Sequence, residues 1–415
     1  MKFSALDFAS EIQSALDECG YSEMTPIQEK AIVPARRGKD LLANAQTGTG
    51  KTAAFSLPIM QKMADKPLEL EACCVRAVIM TPTRELAQQL QETINRYNKY
   101  LNLRILSVYG GVNLETQQKK LKHGADILIA TPGRLLELYR AASVNLSRVE
   151  FAVLDEADRM LDMGFVSDVL TILDATPKKK QTLLFSATLS DAVHKLSNQI
   201  LTRFEQIKAS RQNTIADTVE HVVYPVEERR KADLFAELIN EQNWFQVLVF
   251  TSTKAQANEL MQDLKIDGID AVICHGDKSQ GARRRAVSDF KEGKVQVLVA
   301  TEVAARGLDI QGLEHVVNYN LPYLAEDYVH RVGRTGRAGM AGQAISFVSR
   351  EEETALANIE RLIGTQIKRV YKPGFEVGSR DGLRKRIHKK GPKKRTNKAT
   401  RTQIIGKRAA KSKKK

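Results

Sequence analysis

The sequence predicts an α/β protein in which two tandem, doubly wound parallel-sheet domains precede a disordered basic C-terminal tail. Three observations predict this. Short, β-rich apolar runs alternate with helical patterns from about residue 40 to about residue 350. The alternation pauses once, at the polar and aperiodic stretch 208–218 (KASRQNTIADT), which reads as a linker. Beyond Gly374 the pattern gives way to a Lys/Arg-dense stretch punctuated by Gly378, Gly382, Gly391 and Pro392, too poor in apolar residues to offset its chain entropy. The domains expected are therefore 1–207, the linker 208–218, 219–373, and the tail 374–415.

In chain order, the strand candidates of the first half are 40–44, 75–80, 105–109, 127–130, 151–154 and 182–185. Those of the second half are 247–250, 271–274, 295–300, 315–319 and 344–348. The intervening segments are long enough for crossover helices. Apolar strands joined in that way belong to parallel sheets covered on both faces.

Hydrophobic residues make up 42% of the chain, enough for globular cores, and no apolar run approaches the ~20 residues that a membrane span needs. The opening Met-Lys-Phe-Ser has no hydrophobic signal core, so a cytoplasmic protein without membrane contact is expected. Cys19, Cys73, Cys74 and Cys274 form no C-x-x-C pair, which argues against zinc and thiol-redox chemistry. The formal net charge is +15. Of the 64 basic and 49 acidic residues, 17 basic and one acidic fall in 378–415, leaving 47 basic against 48 acidic elsewhere. The basicity belongs to the tail, whose charge suits phosphate contacts; no aromatic residue lies beyond Phe375 to stack on bases.

Residues 45–52 read AQTGTGKT, between a strand and a helical run over 52–64. Glycine there lets backbone N–H groups of Gln46, Thr47, Gly48, Thr49 and Gly50 turn toward phosphate oxygens. Lys51 can reach the β- and γ-phosphates, and the Thr52 hydroxyl can bind Mg²⁺. A second element, the strand 151–154 running into Asp155-Glu156-Ala157-Asp158, offers Asp155 as a Mg²⁺ holder and Glu156 as general base for the attacking water. An acidic helix start is the alternative for that run alone. Together the two elements specify a nucleoside triphosphatase.

Four further strand ends lead into hydroxyls and a helix start: Thr81-Pro82-Thr83-Arg84, Thr131-Pro132-Gly133-Arg134, Thr251-Ser252-Thr253-Lys254, and Thr301-Glu302 followed by Arg306. Each could be an ordinary N-cap. Their recurrence at like positions in both halves suits a ligand with many spaced phosphates. The second half has no lysine loop of its own but carries HRVGRTGR at 330–337. Its Arg331, Arg334 and Arg337 could approach a triphosphate held on the facing domain and stabilise transition-state charge, an effect worth ~10³–10⁵ in rate.

The chain resembles the DEAD-box RNA helicases over about residues 1–365. The resemblance rests on GYSEMTPIQ (20–28), AQTGTGKT, PTRELA (82–87), Gly110-Gly111, TPGR (131–134), DEAD (155–158), SAT (186–188), LVFTST (248–253), HGDKSQGAR (275–283), ATEVAARGLDI (300–310) and HRVGRTGR. The wording DEADRMLDMGF and HGDKSQGARRR is similar to bacterial RhlE-type members. The resemblance implies two RecA-like lobes, an RNA-stimulated ATPase with ATP and Mg²⁺, and local duplex opening by strand bending. It implies that Gln28, with Phe3 and Thr25, recognises adenine, that Asp309 faces the ribose, and that Arg334 and Arg337 complete the catalytic site. Ser186, Thr188 and His330 would couple hydrolysis to strand separation. Arg84, Gly111, Thr131, Gly133, Arg134, Thr253, Gly276, Gln280, Arg283 and Thr301 would contact one RNA strand, chiefly through phosphate and sugar. Met24 and Glu302 depart from the family pattern, which has Pro and Asp there. A monomer is expected, and ribosome assembly or mRNA turnover both fit. A DNA helicase and a non-hydrolysing RNA chaperone are the rivals; the intact Lys51, Glu156 and Arg334 argue against the second.

Overall fold

A computed structural model describes residues 1–45, 48–208, 219–305, 310, 312–336 and 341–377. Two seven-stranded, wholly parallel sheets make up the core. The first contains β1 (Leu41–Asn44), β2 (Val75–Met80), β3 (Ile105–Val108), β4 (Ala125–Ala130), β5 (Phe151–Leu154), β6 (Gln181–Ser186) and β7 (Glu205–Lys208). The second contains β8 (Val219–Pro225), β9 (Val247–Thr251), β10 (Ala271–Cys274), β11 (Val297–Thr301), β12 (His315–Asn318), β13 (Gly342–Val348) and β14 (Lys368–Arg369). The spatial orders are β3-β4-β2-β5-β6-β1-β7 and β10-β11-β9-β12-β13-β8-β14. Adding seven to each strand number converts one order into the other, so the two lobes share one topology.

Alternation along each strand explains the double covering. In β1, Leu41 and Ala43 enter one apolar cluster while Leu42 enters the cluster on the opposite face. In β9, Val247 and Val249 pack on one side and Leu248 and Phe250 on the other. Only helices on both faces can cover such strands. The strand positions expected from sequence agree with those observed to within two residues. Three strands were not anticipated. β8 pairs with both β13 and β14, and β7 closes the edge beside β1. Lys208, assigned to the linker, ends β7; residues 209–218 lie outside the described residues.

The tail boundary at 374 also needs correction. Phe375 is buried in the second lobe's core, and the Arg230 guanidinium lies 4.4 Å from its ring centroid. One aromatic ring stacked against a buried arginine holds this segment to the lobe despite the charge around it. Residues 378–415 lie outside the described residues. Among the described residues no helix is long and apolar enough to cross a membrane.

Candidate nucleotide and polyanion sites

In a parallel sheet the carboxyl ends of the strands share one edge, where helix N-termini also gather. Beyond β1, Gly50 has φ +94° and caps the helix Lys51–Asp65. A Cβ on Gly50 would collide with the Gln28 carboxamide, so glycine is required both by conformation and by space. Gln28 is held at both ends: its Oε1 accepts from the Thr25 N–H (2.8 Å) and its Nε2 donates to the Gly50 carbonyl (3.1 Å). Phe3 is buried and stacks on Tyr21 with centroids 5.8 Å apart. The GYSEMTPIQ segment therefore abuts the phosphate loop. Met24, the departure from pattern, packs into the first lobe's core.

Lys51 Nζ and Asp155 Oδ1 lie 3.5 Å apart, both buried. Neither atom has a hydrogen-bond partner among the described residues. Burial opposes the Lys51 charge, but Asp155, Glu156 and Asp158 outweigh it and raise its pKa. Burial raises the Asp155 pKa, with Lys51 pulling the other way. A buried carboxylate oxygen without a donor, beside a helix N-terminus, fits a divalent cation with a phosphate. Thr52 and Asp155 are the residues that would hold it.

Glu156 has φ +56° and ψ 53°, left-handed values that cost a non-glycine residue about 1–2 kcal/mol. This sharp turn stands between β5 and the helix Ala157–Asp162. Asp158, not singled out in the sequence, is its anchor. Asp158 Oδ2 accepts from the Ala187 N–H (3.1 Å), the Thr188 N–H (2.9 Å) and the Thr188 hydroxyl (3.1 Å). The Asp158 N–H donates to the Ser186 hydroxyl at 3.3 Å. Ser186 and Thr188 are thus wired to the acidic turn.

The second grouping is a cleft of about 590 Å³ between the two carboxyl edges. Its lining includes Thr83, Arg84, Gly110 and Thr131 from one lobe and Thr253, Gly276, Arg283 and Thr301 from the other. The registers make these residues counterparts. Met80 and Phe250 occupy equivalent places, so Thr83 matches Thr253 and Arg84 matches Lys254. Ala130 matches Ala300, so Thr131 matches Thr301; Val108 matches Cys274, so Gly110 matches Gly276. The N-cap alternative does hold for two hydroxyls: Thr83 accepts from the Leu86 N–H and Thr253 from the Gln256 N–H. Thr131 makes no such bond.

Other expected contact residues are turned toward protein. Arg283 Nη1 pairs with Glu85 (2.9 Å) across the cleft, and its Nη2 donates to the Ala304 carbonyl. Gln280 donates to Glu85 and accepts from Arg84. Arg134 pairs with Glu137 and donates to the Val112 carbonyl. Gly111, at φ +79°, leaves room for the Arg84 guanidinium, while Gly133 is flanked by Asp168. Met163 and Phe165, within DEADRMLDMGF but given no role there, line the same cleft.

The three arginines of 330–337 do not act alike. Arg331 is occupied within its own lobe: Nε pairs with Glu302 (2.5 Å), and Nη1 donates to Asn318 Oδ1 and the Asn320 carbonyl. The guanidinium also lies over the Phe250 ring. It cannot reach a facing triphosphate, which corrects the grouping of all three. Glu302, the second departure from pattern, spends its reach on this bond. Arg334 is buried just past the helix Ala325–Val332, which carries His330. Gln46, Thr47, Asp309 and Arg337 lie outside the described residues.

A lysine loop facing paired acids on one sheet, together with matched hydroxyl grips on two sheets, defines a nucleotide-driven motor that holds a polyanion. The DEAD/DEAH box helicase profile matches residues 25–196, and the helicase conserved C-terminal domain matches residues 230–339. A relative named DEAD-box ATP-dependent RNA helicase CshA, from Streptococcus pneumoniae, is 44% identical over 89% of this chain and 69% of its own length. The chain belongs to the DEAD-box ATP-dependent RNA helicase family. Among solved structures, S. cerevisiae Dbp5 bound to RNA and ADP BeF3 is 32% identical with a TM-score of 0.79, over 89% of this chain and 95% of that one. A variant of the same yeast protein, bound instead to Nup159, Gle1, IP6 and ADP, superposes at 0.60 with 30% identity over 88% of this chain and 96% of its own.

Proposed function

We propose that this chain is an RNA-stimulated ATPase that hydrolyses ATP to ADP and phosphate and uses the cycle for local, non-processive opening of RNA duplexes and remodelling of ribonucleoproteins. The carrying observation is the orphaned Lys51–Asp155 pair on one lobe, above a cleft whose Thr131 and Thr301 grips come from both lobes. ATP seats its phosphates on Gly48, Thr49, Gly50 and Lys51, with Gln46 and Thr47 completing the loop. Phe3, Thr25 and Gln28 meet the adenine, and Asp309 the ribose. Thr52 and Asp155 would hold Mg²⁺, partly through water, and that ion would supply neutralisation of phosphate charge. Glu156 takes the proton of the attacking water. Arg334 and Arg337 from the second lobe stabilise the transferring phosphoryl group, while Ser186, Thr188 and His330 link that step to the grip on RNA.

The strand lies along Arg84, Gly111, Thr131, Gly133 and Arg134 and continues over Thr253, Gly276, Gln280, Arg283 and Thr301. Contacts of this kind read phosphate and the 2′-OH rather than base sequence. The basic tail adds nonspecific affinity. The wording of the acidic and HGDKSQGARRR motifs supports an RhlE-type assignment within the family. A cytoplasmic monomer acting in ribosome assembly or mRNA turnover fits this chemistry.

Steady-state ATPase with and without RNA tests the reading. Wild type is expected to be stimulated by RNA and not by DNA. Lys51→Ala and Glu156→Gln should each abolish turnover, by about 10³-fold or more. Turnover indifferent to RNA, or retained in Lys51→Ala, refutes it.

A further inference from the structure

Arg159 belongs to none of the groups above, yet it makes a deeply buried charge contact between the lobes. It stands in the first turn of the helix Ala157–Asp162, directly after the hydrolytic turn, with its side chain 3% exposed. Its Nη1 crosses to the second lobe and pairs with Asp327, 168 residues away and also buried. Asp162 lies 3.4 Å from the same nitrogen. Nη2 is buried without a hydrogen-bond partner among the described residues. Burial opposes the guanidinium charge, but Asp327, Asp158 and, to a lesser extent, Glu302 outweigh it.

The two ends of this contact lead to the two halves of the chemistry. On the first lobe the Arg159 N–H donates to Asp158 Oδ1 (3.0 Å), and Asp158 holds Ala187 and Thr188. On the second lobe Asp327 sits in the first turn of the helix Ala325–Val332. That helix carries Arg331, pinned by Glu302 and Asn318, and Arg334 follows it, with its N–H bonded to the Arg331 carbonyl. A short helix gripped at both ends moves as one piece. Parting the lobes would break this pair, and closing them would desolvate it. Such a contact acts on closure and not on ground-state binding to either lobe.

We propose that Arg159 is a positioning residue which, by pairing with Asp327, registers the hydrolytic turn of the first lobe against the helix that Arg334 follows. This deepens the function proposed above and rests on it.

The test uses the full chain and the variants Asp327→Asn, Arg159→Gln, Arg159→Lys and the double Arg159→Gln/Asp327→Asn, with thermal unfolding to verify folding. Asp327→Asn is expected to lower RNA-stimulated kcat roughly thirtyfold, the scale for truncating one partner of a buried charge pair across an interface. Affinity for a fluorescent ATP analogue without RNA should stay within twofold of wild type. Arg159→Lys should recover part of the loss, and the double variant should fall no further than the worse single. Full stimulated turnover in folded Asp327→Asn, a double variant equal to the product of the singles, or an equal loss of analogue affinity without RNA overturns the proposal. Should wild-type turnover ignore RNA, the functional reading falls but the strut does not. Small-angle scattering with the ATP analogue should then still show a more compact wild type than Asp327→Asn, and equal radii overturn it.

Discussion

The two lobes share one strand order, yet among the described residues only the first sets a glycine loop and a lysine beside paired carboxylates at the carboxyl end of its sheet. Following β1 comes a glycine loop and then Lys51, whose ammonium has, among the described residues, only a long pairing with Asp155. Following β8, the corresponding strand, comes the turn Glu228–Arg230 and then Lys231. That ammonium is buried and doubly neutralised, by Glu228 (2.6 Å) and Glu352 (2.5 Å). At the end of β5 stand Asp155 and Glu156; at the matching end of β12 stand Tyr319 and Asn320. A lysine without a hydrogen-bond partner is a binding site, and a lysine already paired is a structural element. By contrast, the hydroxyl grips survive in both lobes. The difference teaches that a polymer needs holding at several points along its length, whereas the chemistry needs one centre.

The comparison breaks most visibly at the charge that the second lobe lends to the first. Arg334→Lys should lower RNA-stimulated kcat by about 10³, with ATP-analogue affinity nearly intact. Equal loss of affinity would place Arg334 in ground-state binding instead. Next, Lys231→Met should leave nucleotide affinity unchanged while lowering stability by about 2–3 kcal/mol, as a drop in the urea midpoint, because two carboxylates lose a buried partner and one of them is half exposed. A nucleotide effect there would mean that the second lobe keeps a working cradle.

A smaller effect tests the symmetry of the grips. Thr131→Val and Thr301→Val should each raise the KM for RNA by about tenfold, the value of one hydrogen bond to a charged oxygen. If only one matters, the lobes do not share the strand equally. The smallest effect concerns the second lobe alone. His221 is bonded to the Tyr328 hydroxyl (2.7 Å), and burial pushes its pKa from 6.5 down to about 4. Between those values the unfolded chain takes up a proton that the folded one refuses. Stability is therefore flat above about pH 6.5 and falls as pH drops toward 4, by about 1 kcal/mol at about pH 5.5. His221→Gln should flatten that slope in acid unfolding curves.

Much of this was legible because its causes are local. The loop at 45–52 declares itself through glycine spacing, and the acidic turn through a strand ending in carboxylates. The strands β2, β5 and β9 are apolar runs that need no partner to be recognised. What escaped depends on partners far away in the chain. β8 carries Glu220 and His221 among its valines, and it is a strand because β13 and β14 flank it. Phe375 opens a charged stretch in the sequence, and its packing against Arg230, 145 residues earlier in the chain, is what ties it to the lobe. Arg331 and Arg334 are equivalent in a three-residue repeat, and only Glu302 and Asn318 tell them apart. The Arg159–Asp327 pair spans 168 residues and has no sequence signature.

Gln28 links the segment after Tyr21 to the Gly50 carbonyl through a single carboxamide. A ligand that rotates this side chain also tilts the turn from which Lys51 projects. With Gln28 as the proposed adenine contact, discrimination among purine nucleotides would act on the geometry of bond cleavage as well as on occupancy, and a mismatched base would be penalised a second time, after binding.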